Sequence, residues 1–143
     1  MPACMSADIP YGMALNVTLL GHSFIRRLRD FPNSCPNLTN LRLDPSNFRI
    51  HFRCQGGLTI SQLIHNRPDL YNFNNSPPQI VFLQIGVRDL SHTDPVKVAT
   101  DILAFANFLV EALNVNTVII GELLFISPVS SGFNYNSNVI AFL

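Results

Sequence analysis

The chain predicts an α/β fold, a three-layer sandwich with a parallel sheet between helices, and three observations carry that expectation. Aliphatic and β-branched runs alternate along the sequence with stretches whose apolar residues recur at helical spacing. Three of those runs stop at glycines, at Gly21, Gly56 and Gly86, where a strand can turn sharply into a helix. Charged residues make up 13% of the chain, against about a quarter in an ordinary domain. With 48% hydrophobic residues beside so few charges, the strands are expected to be buried on both faces, as parallel strands are. A length of 143 residues suits one domain with a sizeable core.

Residues 1–15 predict an irregular lead-in to a domain spanning 16–143. Val17, Thr18, Leu19 and Leu20 form the first strand, which ends at Gly21. Phe24, Ile25, Leu28 and Phe31 then recur at helical spacing among Arg26, Arg27, Arg29 and Asp30, so a helix begins at Ser23. Pro32 to Asn47 is rich in Asn, Pro and Ser and predicts a long surface loop. Phe48 to Cys54 is the second strand, halted by Gly56-Gly57, and Leu58, Ile60, Leu63 and Ile64 give a short helix reaching Asn66. Arg67 to Pro78 predicts another polar loop, and Gln79 to Ile85 the third strand. Asp94 followed by Pro95 marks a helix start, because the carboxylate accepts from first-turn N–H groups and proline there loses no bond. Val98, Ala99, Ile102, Ala106, Leu109, Val110 and Leu113 share one face of that helix, Pro95 to Leu113, and Asn114 stops it. Asn116 to Gly121 is a fourth strand, whose apolar run extends through Leu124; Ser127 to Gly132 is loop, and Asn134 to Leu143 starts another helix. The expected sheet is flavodoxin-like, ordered 2-1-3-4 with a fifth strand missing, which leaves Thr117 to Gly121 as an exposed edge open to self-association.

Nine basic and nine acidic residues give a formal net charge of zero, so neither nucleic acid nor an anionic membrane is an expected partner. Arg26, Arg27 and Arg29 are expected on the solvated face of the first helix. Cys4, Cys35 and Cys54 are odd in number and lack CxxC spacing, which argues against a disulfide framework or a zinc site. With no signal peptide and no membrane-spanning run, a cytoplasmic setting is expected.

In a sheet of this kind ligands bind beyond the carboxyl ends of the strands. That edge carries Gly21-His22-Ser23, Gly56-Gly57 and Gly86-Val87-Arg88-Asp89. Ser23 has two readings. A hydroxyl in the first turn of a helix faces free N–H groups and the positive end of the peptide dipoles, a site suited to negative charge. Serine is also among the best N-caps. Gly56-Gly57 is either a plain turn or a point where a backbone N–H meets a ligand with no Cβ in the way. Asp89 and His92 have the spacing of a carboxylate that orients an imidazole, whereas His51 and His65 are expected to be packing or surface residues.

Taken in order, GHS, GG and GVRD after three successive strands resemble the SGNH (GDSL-type) hydrolase superfamily, whose blocks are Gly-Asp-Ser, a glycine, Gly-x-Asn-Asp and a late Asp-x-x-His. Similar stretches occur in proteins of invertebrate retroelements. The resemblance implies a serine esterase that acts on a small acyl ester with no metal and no cofactor. It implies Ser23 as nucleophile, the N–H groups of Ser23 and Gly57 with a donor after Gly86 as the oxyanion hole, and Gly21, His22, Gly56, Gly86 and Asp89 as supporting turn residues. This chain departs from the pattern at three points. His22 replaces the aspartate beside the serine. Arg88 replaces the oxyanion-hole asparagine, and its planar fork is also suited to a carboxylate or phosphate. The Asp-x-x-His block has no counterpart before Leu143. The expectation is an esterase-like domain that is inactive or very weak as it stands. The alternative is a non-catalytic module that binds an anionic ligand through Arg88 and the glycine turns.

Overall fold

In the computed structural model, which describes residues 14–31 and 40–121, four parallel strands lie in the order 2-1-3-4. β1 (Leu15–Gly21) pairs with β2 (Phe48–Cys54) on one side and β3 (Ile80–Gln84) on the other, and β4 (Thr117–Ile120) pairs with β3. Between them run α1 (Ser23–Asp30), α2 (Ile60–Asn66) and α3 (Pro95–Glu111).

The two faces of the sheet follow from the alternation of side chains along a strand. Leu20 of β1 and Val81 and Leu83 of β3 point to one face, where they join Leu58, Leu63, Val98, Ile102 and Leu109 in one buried core with α2 and α3. Leu19, the neighbour of Leu20, is buried outside that core, as is Ile25 of α1. Gly21 shares the parity of Leu19, and a Cβ there would come within 3.1 Å of the Ile25 side chain. Helices therefore cover both faces, as the low charge content requires.

Local chemistry accounts for the element ends. Asp94 caps α3 by accepting from the Lys97 N–H at 3.3 Å, with Pro95 in the first position. Asn114 has a φ of 61°, a left-handed turn just past the helix end. Ile25 alone of the α1 residues is fully buried, while Phe24 and Phe31 are exposed, so the apolar face of α1 is narrower than its spacing predicts. The stretch expected to be polar loop after α2 contains a 3-10 turn, Pro68–Tyr71, anchored by buried Leu70 and by the Tyr71 hydroxyl donating to the Ile64 carbonyl at 2.8 Å. Among the described residues β4 has a sheet neighbour on one side, and Ile119 and Ile120 are exposed. No described helix is long and apolar enough to cross a membrane. The expected lead-in up to residue 13, the loop at 127–132 and the helix at 134–143 lie outside the described residues.

Candidate active site

The strand register brings the three glycine turns to one rim. Gly21 stands opposite Cys54 on one side and Gln84 on the other, so β1, β2 and β3 end side by side. The join continues past the strands: the Gln55 N–H donates to the Gly21 carbonyl at 3.1 Å, and the His22 N–H to the Gln84 carbonyl at 3.2 Å. Gly21 is glycine for space, since a Cβ would overlap the Gln84 carbonyl oxygen.

His22, not Ser23, caps α1. Its Nδ1 accepts from the Phe24 N–H at 3.1 Å, and its carbonyl accepts from Ile25 and Arg26 at 3.1 and 3.2 Å. The N-cap reading of Ser23 is thus corrected: extended backbone at His22 (φ −92°, ψ −153°) lets the imidazole bend back over the first turn. Ser23 is the first residue of the helix and half-buried. Its N–H and its hydroxyl have no hydrogen-bond partner among the described residues. An accepting Nδ1 requires the neutral imidazole with its proton on Nε2. That Nε2 is buried and has no partner among the described residues. Burial and the nearby Arg27 charge hold the His22 pKa below its ordinary value.

At the second turn Gly57 has a φ of +72°, and a Cβ there would stand 2.7 Å from Nη1 of Arg88. A Cβ on Gly56 would stand 2.9 Å from Nη1 of Arg26. The turn leads into α2 through a capping box: Thr59 Oγ1 accepts from the Gln62 N–H, and Gln62 Oε1 from the Thr59 N–H, both at 3.1 Å. The Gly57 N–H has no acceptor among the described residues.

The third turn is locked to the second. Both carboxylate oxygens of Asp89 accept from the Ile60 N–H at 3.1 Å, in a site where Asp89 is 6% exposed. Burial pushes the Asp89 carboxyl above its ordinary value, against the hydrogen bonds that favour its charge. Gly86 opens this turn with a φ of 117°, and its carbonyl accepts from the Leu90 N–H at 3.0 Å. Arg88 is exposed; its carbonyl accepts from the Ser91 N–H at 3.3 Å, and its guanidinium forms no hydrogen bond or ion pair among the described residues.

The geometry joins Gly57 with Arg88, Asp89 with the start of α2, and Gly21 with the end of β3. It does not build a dyad from Asp89 and His92. The Asp89 carboxylate is spent on Ile60, and His92 is exposed and meets Asp89 only through its backbone N–H. His51 and His65 are exposed on β2 and in the last turn of α2, as a surface reading expects. Sequence reasoning missed the approach of the Arg26 guanidinium to the space beside Gly56, which carries no sequence signal. It also missed the capping box, which the spacing of Thr59 and Gln62 does signal. No group of three or more His, Cys, Asp or Glu among the described residues could hold a metal. A cavity of about 670 Å³ lined by Tyr71, Phe73, Pro77, Leu113 and Asn114 lies before the starts of β3 and β4 and shares no residue with the three turns.

No family model and no curated protein sequence matches the chain. Solved structures do. An acetyl xylan esterase, AlAXEase, superposes with a TM-score of 0.62 at 19% identity over 90% of this chain and 68% of its own. The psychrotrophic esterase EstA from Pseudoalteromonas sp. gives 0.57 at 16% identity over 89% and 68%. A GDSL-like lipase from Bacteroides thetaiotaomicron gives 0.51 at 20% identity over 76% of this chain and 49% of its own. The chain spans about half to two thirds of the length of these proteins. With its parallel sheet ordered 2-1-3-4 and its helices on both faces, the chain has the fold of the SGNH (GDSL-type) hydrolases.

Proposed function

We propose that this chain is an SGNH-type acyl-ester hydrolase-like domain with Ser23 in the nucleophile position, and that the 143 residues turn esters over weakly or not at all. One observation carries the reading: the Ser23 N–H, the Gly57 N–H and the Arg88 guanidinium are donors at one rim with no acceptor among the described residues. In acyl transfer the Ser23 hydroxyl oxygen bonds to the ester carbonyl carbon, and the carbonyl electron pair moves onto oxygen. The oxyanion accepts from these donors. Collapse expels the alcohol, which takes up the proton lost by Ser23, and water then hydrolyses the acyl-serine.

That proton needs a base. None of the four histidines hydrogen-bonds to the Ser23 hydroxyl, and the Nδ1 of the nearest in sequence, His22, is committed to the Phe24 N–H. Weak turnover follows, since the oxyanion donors alone still accelerate the reaction when the base is lost. The solved esterases and lipase support the reaction class, and one of them is known with monoethylphosphonate as inhibitor.

Hydrolysis of 4-nitrophenyl acetate by the wild type and by Ser23→Ala, with and without added imidazole, tests the reading. The expected result is a small Ser23-dependent rate that imidazole enlarges, because the external base takes the proton. Equal rates in both proteins at every imidazole concentration would rule out catalysis through Ser23 in this chain and leave only the binding reading. A second reading, a non-catalytic module that binds an anion, is favoured by the exposed Arg88 guanidinium against Gly57.

A further inference from the structure

Two arginines close on the turn between β2 and α2. Nη1 of Arg26, in the first turn of α1, lies 2.9 Å from where a Cβ on Gly56 would stand, and Nη1 of Arg88 lies 2.7 Å from the same point on Gly57. Successive Cα atoms are about 3.8 Å apart, so the two nitrogens are within roughly 12 Å of each other. Side chains at 56 and 57 would displace the guanidinium groups, so the pair of glycines is what lets both arginines reach the turn.

Both arginines are exposed, and neither has an ion-pair partner among the described residues, whereas Arg29, Arg67 and Lys97 each have one. The carboxylate next to Arg88 in sequence, Asp89, is turned inward onto the Ile60 N–H. Two exposed cations that flank one turn with no ion-pair partner among the described residues create a local positive field that draws an anion. Arginine presents a planar fork of donors that matches a carboxylate or phosphate. With five N–H donors, Arg88 also has capacity beyond the single oxygen of a tetrahedral intermediate.

We propose that Arg26 and Arg88 form a two-armed clamp for an oxyanion, a carboxylate or phosphate group, and that the ester presented to Ser23 carries such a group. The clamp stands on the placement of the two arginines. That its ligand is an ester rests on the hydrolase reading.

The test is an NMR titration of the isotope-labelled chain at low ionic strength with monoethyl succinate, monoethyl phosphate and the uncharged diethyl succinate. At least one anion is expected to bind about tenfold or more tightly than the diester, and added salt is expected to weaken it. Arg26→Gln and Arg88→Gln should each weaken anion binding several-fold. Arg49→Gln, at the opposite end of β2, should leave it unchanged. The tighter of the two anions identifies carboxylate or phosphate as the recognised group. Equal affinity for the diester, or anion binding that survives both substitutions, overturns the clamp. Phosphonate labelling of Ser23, followed by mass spectrometry, is read separately. Anion binding with an unreactive Ser23 retires the hydrolase reading and keeps the clamp; a reactive Ser23 with no preference for anions retires the clamp alone.

Discussion

A methyl group on Gly57 would meet only the flexible end of Arg88, so the main penalty of Gly57→Ala is a backbone held at a φ of +72°. That penalty is about 1–2 kcal/mol for a residue with a Cβ. Gly21→Ala is a different case, because its methyl would overlap the backbone carbonyl of Gln84 where the two paired strands β1 and β3 end, and a backbone carbonyl cannot swing away as a side chain can. Urea unfolding of the two variants should rank them clearly, with Gly57→Ala modestly less stable than the wild type and Gly21→Ala far less stable or unfolded. A Gly57→Ala variant as damaged as Gly21→Ala would mean that the second turn is packed from a side the rim geometry does not include.

At the scale of elements, the start of α2 depends on a residue 29 positions further along the chain. The Ile60 N–H is buried and donates to both oxygens of Asp89. Asp89→Ala leaves that donor without a partner, at a cost of about 2–3 kcal/mol, whereas Asp89→Asn keeps one oxygen and should cost less. Denaturant midpoints check the order, and amide exchange at Ile60 should quicken before exchange in β1 does. The order of strands and helices was legible because each carries its own periodicity: Phe48–Cys54 matches β2 to the residue, and Asp94-Pro95 opens α3. What joins the turns to one another was not legible. The bond from Asp89 to Ile60 and the approach of Arg26 to Gly56 depend on how separate elements meet, and periodicity within one element has no access to that. His22 shows the same limit at closer range. Serine is the commoner cap, but the backbone turn after Gly21 places the imidazole one residue earlier over the Phe24 N–H.

For the molecule as a whole, His22 and Asp89 shape the dependence of stability on pH in opposite directions. The folded chain holds His22 below its ordinary value of 6.5, chiefly by burial and then by Arg27. Between the folded value and 6.5 the unfolded chain binds more protons, so the stability that neutral His22 contributes is fully present above 6.5 and is lost as pH falls. Protonation also removes the Nδ1 lone pair that accepts from Phe24, which frees the first turn of α1 where Ser23 sits. Asp89 is held above its ordinary 3.8 by burial, so between 3.8 and its folded value the native chain binds more protons, and stability falls as pH rises through that window. Thermal unfolding from pH 8 to pH 4 of the wild type, His22→Asn and Asp89→Asn separates the two. Asparagine keeps an oxygen able to cap the helix but does not titrate. The wild type should therefore lose stability below pH 6.5 relative to His22→Asn, and should gain relative to Asp89→Asn as pH approaches 3.8. If the wild type and His22→Asn run parallel across the range, the imidazole is not the neutral acceptor that holds Ser23 at the helix start.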